Sequence, residues 1–158
     1  MLRIATVLAA LALPIAAQAQ EPKGCDRFKW PIAREQALLA TATSTVASGS
    51  EVPLPMTAIR IALQPHETAT LPMPPERAPK DKASFSGALR IARIDKPGLY
   101  TVNLSANSWV DAIQNGSHLK TIAFSGATDC EGIRKSVKFQ FTDAPLILQV
   151  SGVAADTL

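Results

Sequence analysis

The sequence predicts an all-β fold, an antiparallel β-sandwich or jelly roll of about seven to eight strands. Three observations predict it. Apolar and polar residues alternate over 98–153, as in Tyr100, Val102 and Leu104 against Thr101, Asn103 and Ser105. Val137, Phe139 and Phe141 repeat the pattern against Lys138, Gln140 and Thr142. Turn chemistry separates the runs, with Asn115-Gly116 the strongest hairpin signal, because both residues accept the positive φ of a type I′ turn. A period of two places one side chain in a core and the next on the opposite face.

The chain has 158 residues, 47% of them hydrophobic, which suffices for one domain with a core. Residues 1–19 read as a signal peptide: Arg3 supplies the positive start, 4–12 the apolar stretch, Pro14 the break, and Ala17-Gln18-Ala19 the small-residue cleavage site. The apolar stretch is shorter than the roughly 20 residues a membrane span needs, and no second one follows in the mature chain. The expected location is periplasmic or secreted. A formal charge of +3, part of it in the leader, is too small to argue for nucleic acid, and 5% aromatic residues give little stacking surface for glycans or single strands.

Residues 20–56 are expected to form an N-terminal arm and linker. Pro31 suits the first position of a short helix over 32–40, with Ile32, Gln36 and Leu39 on one face; an irregular extended arm is the other reading. Residues 41–50 have linker composition. The domain proper is placed at 57–158. Residues 57–63 alternate as a first strand, and 67–71 read as a second. Residues 71–82 hold Pro72, Pro74, Pro75 and Pro79 among charges, which reads as a solvated polyproline loop or else a docking segment. Residues 84–94 form a longer strand whose parity changes at Arg93, so a bulge near Ala92 is expected. Asp95-Lys96-Pro97-Gly98 is a turn with glycine at positive φ. Strands then follow over 100–105, 109–113, 119–124, 133–141 and 146–150, and 154–158 can begin a last edge strand.

Cys25 and Cys130 are the two cysteines of the chain, and in an oxidising compartment such a pair forms a disulfide. The closed loop of about 105 residues corresponds to roughly 4–5 kcal/mol of chain entropy. It would tie the arm to the loop before the 133–141 strand. Neither cysteine has a metal-site or redox spacing.

Pro97-Gly98-Leu99-Tyr100-Thr101-Val102-Asn103-Leu104 resembles the G-x-Y-x-V-x-L strand of bacterial pre-peptidase C-terminal domains, small secreted β-sandwiches attached to exported enzymes. The hairpin around Asn115-Gly116 looks like the one that flanks that strand. The likeness spans roughly 57–153 and departs from the family in lacking a catalytic domain. Cys25-x-x-Phe28-x-Trp30 and Gly132-Ile133-Arg134-Lys135 are similar to small exported proteins of proteobacteria, a group that implies no established activity.

The residues offer no diagnostic catalytic set. Ser84-Phe85-Ser86-Gly87 lacks the spacing of a nucleophile elbow, and neither His66 nor His118 belongs to a His-x-Asp/Glu pair of the kind an iron oxygenase needs. No catalytic residue, metal ligand or cofactor is therefore assigned. Trp109, Asp111, Gln114 and His118 form a possible ligand patch beside the hairpin, with Trp109 as core and Asp111 as the acceptor of a turn N–H the alternative. Arg134, Lys135, Lys138 and Lys120 read as a solvated sheet face that discourages edge pairing, or else as a basic face for an anionic surface. The expected function is an exported non-catalytic binding or accessory module, its partner an unknown envelope protein or glycan. The alternatives are a small enzyme with a dispersed site and a purely structural envelope protein.

Overall fold

The computed structural model describes residues 20–42, 44–55 and 57–158. The leader predicted at 1–19 lies outside these residues. The described residues form an all-β sandwich with one short N-terminal helix. In chain order, a 3-10 turn at Cys25–Arg27 precedes helix α1 (Ala33–Ala40). Eleven strands follow: β1 (Thr45–Ala47), β2 (Glu51–Val52), β3 (Arg60–Ala62), β4 (Gln64–Pro65), β5 (Phe85–Ile91), β6 (Gly98–Leu104), β7 (Trp109–Gln114), β8 (Ser117–His118), β9 (Ala123–Gly126), β10 (Lys135–Phe141) and β11 (Leu146–Val153).

One sheet runs β6-β10-β9 and is antiparallel. A larger one runs β2-β5-β11-β7-β8, with β4 also on β5, and β1 with β3 forms a separate two-stranded sheet. Their facing residues make the core: Leu104, Val137, Phe139 and Phe141 from the first meet Ile91, Val110, Ala112, Leu146 and Val150 from the second. Burying each such side chain contributes about 1.5–3 kcal/mol. Tyr100 stacks on Phe141, ring centroids 5.2 Å apart.

The hairpin between β7 and β8 turns through Asn115 (φ 52°) and Gly116 (φ 71°), the left-handed pair a type I′ turn requires. Other expectations need correction. The strand expected over 119–124 is split: β8 pairs with β7, the chain then leaves that sheet, and β9 pairs with β10 in the other one. Residues 67–71 form no strand: the chain turns at 66–68 and is irregular over 69–71, since β4 is only two residues long and Pro65 cannot extend the ladder as a donor. No bulge sits at Ala92; β5 ends at Ile91 and Ile94 is buried from an irregular segment. The bulge lies instead in β11, where Ser151 and Gly152 together oppose Ser86 and Gly152 takes φ 73°. Gly98 is not at positive φ; it opens β6 opposite Phe141. Part of the linker is stitched into the sandwich, because β1 pairs with β3 and β2 with β5, both parallel. The C-terminus does reach an edge, with Leu158 and Ile61 exchanging backbone bonds.

Cys25 and Cys130 form a disulfide, with Cα atoms 4.8 Å apart. It adjoins a second small core of Phe28, Ile32, Ala127 and Ile133. The helix face read from sequence points here: Ile32 is buried, Leu39 packs on this cluster, and Gln36 Nε2 donates to the Glu131 carbonyl at 2.6 Å. Trp30 Nε1 donates to Ser136 Oγ at 3.0 Å, so the arm covers the outer face of β10. Among the described residues, no helix is long and apolar enough to cross a membrane.

Candidate binding groove and buried polar face

The outer face of the larger sheet carries Ser86 and Ala88 from β5, Gln149 and Ser151 from β11, and Trp109 and Asp111 from β7. Residues opposite one another in register share a face, and Gln149 stands opposite both Ala88 and Asp111. Alternation correctly separates these residues from the core, and by itself it suggests that they meet water. They do not: Ser86 and Gln149 are fully buried, Ser151 is 1% exposed and Asp111 2%. The proline-rich segment 71–82 is the cover. Met73 N–H donates to Gln149 Oε1 at 3.3 Å, and Pro79 lies against Gly152. The Arg77 guanidinium sits over the Trp109 ring, 5.7 Å from its centroid. A segment read as a solvated loop is thus a strap docked on its own sheet.

The possible ligand patch divides. Trp109 and Asp111 lie under the strap, with Trp109 Nε1 donating to Asp111 Oδ1 at 2.6 Å and Gln149 Nε2 to Asp111 Oδ2 at 3.3 Å. His118, on β8, brings Nδ1 to 4.0 Å from Asp111 Oδ1. Gln114 points the other way and binds the 142–144 loop through the Thr142 and Ala144 carbonyls. Trp109 is half-buried on the strap side rather than in the core, and Asp111 accepts from side chains rather than from a turn N–H. His66, on the far side of the same sheet, makes a 2.7 Å hydrogen bond with Ser86 Oγ.

A groove of about 850 Å³ opens where the chain crosses from β8 to β9. Its lining includes the start of β7 and the edge strand β9. Ile122 and Phe124 are apolar and 58% and 60% exposed. Val110 and Val137 close the floor. Arg77 and Lys80 of the strap line it together with Arg134 and Lys135. Arg134 also bonds to Glu21. Lys135 Nζ donates to the Ser108 carbonyl at 2.7 Å and lies 5.3 Å from the Trp109 ring centroid. Burial, then the Arg134 and Arg77 charges, push the Lys135 ammonium below its ordinary range, with Asp111 pulling the other way. The hydroxyls of Ser108 and Ser151, both groove residues, have no hydrogen-bond partner among the described residues.

The basic face expected from Arg134, Lys135, Lys138 and Lys120 does not form as one: Arg134 and Lys135 line the groove, and Lys138 lies elsewhere. Lys135 and Lys138 are three apart on one strand and so emerge on opposite faces; Lys138 lies over the Trp30 ring at 4.1 Å. What sequence reading missed is the groove, because its walls come from segments far apart in the chain. The faint signal was the exposed apolar pair Ile122 and Phe124 beside a strand end.

Compared with known proteins, the chain matches no family model, no curated protein and no solved structure at a significant level.

Proposed function

We propose that this protein is an exported, non-catalytic binding module of the periplasm or cell envelope, and that its groove takes an acidic, extended polypeptide segment of an envelope partner. The observation that carries this reading is the edge strand β9: among the described residues it pairs only with β10, the arm bridging the chain just past it at Thr128, and it lies beside four cationic groove residues with Glu21 the one acid in the groove lining. An unpaired strand edge offers N–H and C=O groups to an added strand, and side-chain pockets then select sequence. Phe124 and Ile122 supply the apolar contact, and Arg77, Lys80, Arg134 and Lys135 supply charge complementarity. The disulfide and the leader composition support export. An attached or accessory role is also what the likeness to pre-peptidase C-terminal domains implies.

Two other readings have less behind them. A glycan site wants a free aromatic face, whereas Arg77 and Lys135 crowd the Trp109 ring. A serine hydrolase wants a reachable nucleophile, and Ser86, the partner of His66, is fully buried.

The test is titration of the exported protein with synthetic peptides that alternate valine with glutamate or with lysine, followed by amide shifts in the NMR spectrum. The glutamate peptide is expected to shift Ala123–Gly126 and to weaken as salt rises. The variants R134E and F124S are expected to lose at least tenfold in affinity. Equal binding of the lysine peptide, or shifts that bypass β9, would overturn the proposal.

A further inference from the structure

We infer that Glu76, Asp111 and His118 form a site for a divalent cation of the zinc class, which pins the strap to the sheet. The inference is independent of what occupies the groove. One ligand atom from each residue lies within 4.8 Å of the other two. Tetrahedral zinc with bonds of 2.0–2.2 Å holds its ligands about 3.4 Å apart, so closing the set takes a rotation of the exposed Glu76 side chain and a shortening of the 4.0 Å separation between His118 Nδ1 and Asp111 Oδ1.

The chemistry around Asp111 is unfinished without a cation. Its side chain is 1% exposed, and a buried carboxylate is costly unless its charge is met. Its two hydrogen bonds come from neutral donors, Trp109 and Gln149. Lys135 feels the carboxylate, but its ammonium is bound to the Ser108 carbonyl. His118 Nδ1 is too far from Asp111 for a hydrogen bond at 4.0 Å, and it is a buried atom with no partner among the described residues. An anionic oxygen and an unsatisfied imidazole nitrogen thus face one point, and a metal ion between them satisfies both.

The surroundings are those of a supported ligand. Met73 N–H holds Gln149 Oε1, Gln149 Nε2 holds Asp111 Oδ2, and Trp109 Nε1 holds Oδ1. Such outer hydrogen bonds fix the orientation of a ligating carboxylate. One nitrogen and two carboxylates select a borderline cation over calcium or magnesium, which prefer oxygen alone. Glu76 is the ligand on the strap. The next four residues, 77–80, form a groove wall, so the cation would also set how firmly that wall is held.

The exported protein, stripped with chelator, would be titrated with zinc by calorimetry, with melting temperature read in parallel. One equivalent is expected, with a rise in melting temperature. E76Q, at an exposed position that leaves the fold intact, is expected to weaken binding at least tenfold, and H118A likewise. H66A, which removes the other histidine, is expected to bind as the parent does. No stoichiometric binding, binding unchanged in E76Q, binding lost in H66A, or equal stabilisation by calcium would each overturn the assignment.

Discussion

Trp109 and Asp111, two positions apart on β7, share the sheet face under the strap and are joined by a 2.6 Å hydrogen bond from the indole N–H to the carboxylate. The bond lets a tryptophan and a buried charge stand side by side. Trp109→Phe keeps the ring for Arg77 and Lys135 but deletes the donor. Hydrogen bonds to charged groups contribute about 1.5–3 kcal/mol, and a loss of that size is expected in urea denaturation. A change below about 0.5 kcal/mol, the level of an ordinary surface substitution, would show that Asp111 does not depend on Trp109.

The disulfide should dominate stability. Its sequence separation is 105 residues, and replacing both cysteines with serine is expected to cost about 4–5 kcal/mol by the chain-entropy account. The arm should loosen first, because the cluster of Phe28, Ile32, Ala127 and Ile133 packs beside the bridge. Equal denaturant midpoints with and without reductant would contradict this.

Lys135 makes stability depend on alkaline pH. Its folded value is lowered from 10.5 by burial first, then by Arg134 and Arg77. The unfolded chain therefore holds that proton more tightly, so stability rises with pH from the lowered folded value up to 10.5 and is flat for this group below that window. Lys135→Met should remove this rise, so that the parent gains on the variant as pH climbs from 7 to 10. Parallel curves would refute the assignment. An anion in the groove favours the charged form, so its binding should take up protons in the same window.

Gly126 is required by close approach. A Cβ there would lie 2.8 Å from the Arg134 carbonyl oxygen, a backbone atom that cannot rotate away. Gly126→Ala should push β9 from β10 and cost about 1–3 kcal/mol, as overpacking does. Faster hydrogen exchange at Ile122, whose amide donates to the Lys138 carbonyl, is the accompanying readout. Unchanged exchange and stability would mean the strands part without cost.

Ile94 shows how a buried residue escapes a strand pattern. It is fully buried although β5 ends at Ile91. Ile94→Ala is expected to cost about 2–5 kcal/mol, measured by thermal or urea unfolding. A cost near zero would place it outside the core.

Much of the architecture could be read along the chain. The turn at Asn115-Gly116, the strands around Tyr100 and Phe139, the helix face of Ile32, Gln36 and Leu39, and the cysteine pair all follow from local sterics, spacing or compartment. The candidate site was only partly legible. Asp111 and His118 stand on neighbouring strands, which the hairpin implies, but Glu76 reaches them from a segment 35 positions earlier than Asp111. The groove depends on the break between β8 and β9, and nothing in 119–122 announces a change of sheet.

The amino-acid order alone determined which residues extend, where the backbone reverses and which side chains share a face, because these are consequences of φ/ψ preference and a two-residue repeat. Only the tertiary structure decided which face stays dry. The strap docks over Gln149 and Asp111, and His66 meets Ser86, so all three are buried on what alternation alone marks as a polar surface. The reason is physical: periodicity is a property of neighbours in sequence, whereas exclusion of water needs atoms from a distant segment to arrive, pack and satisfy the polar groups they cover.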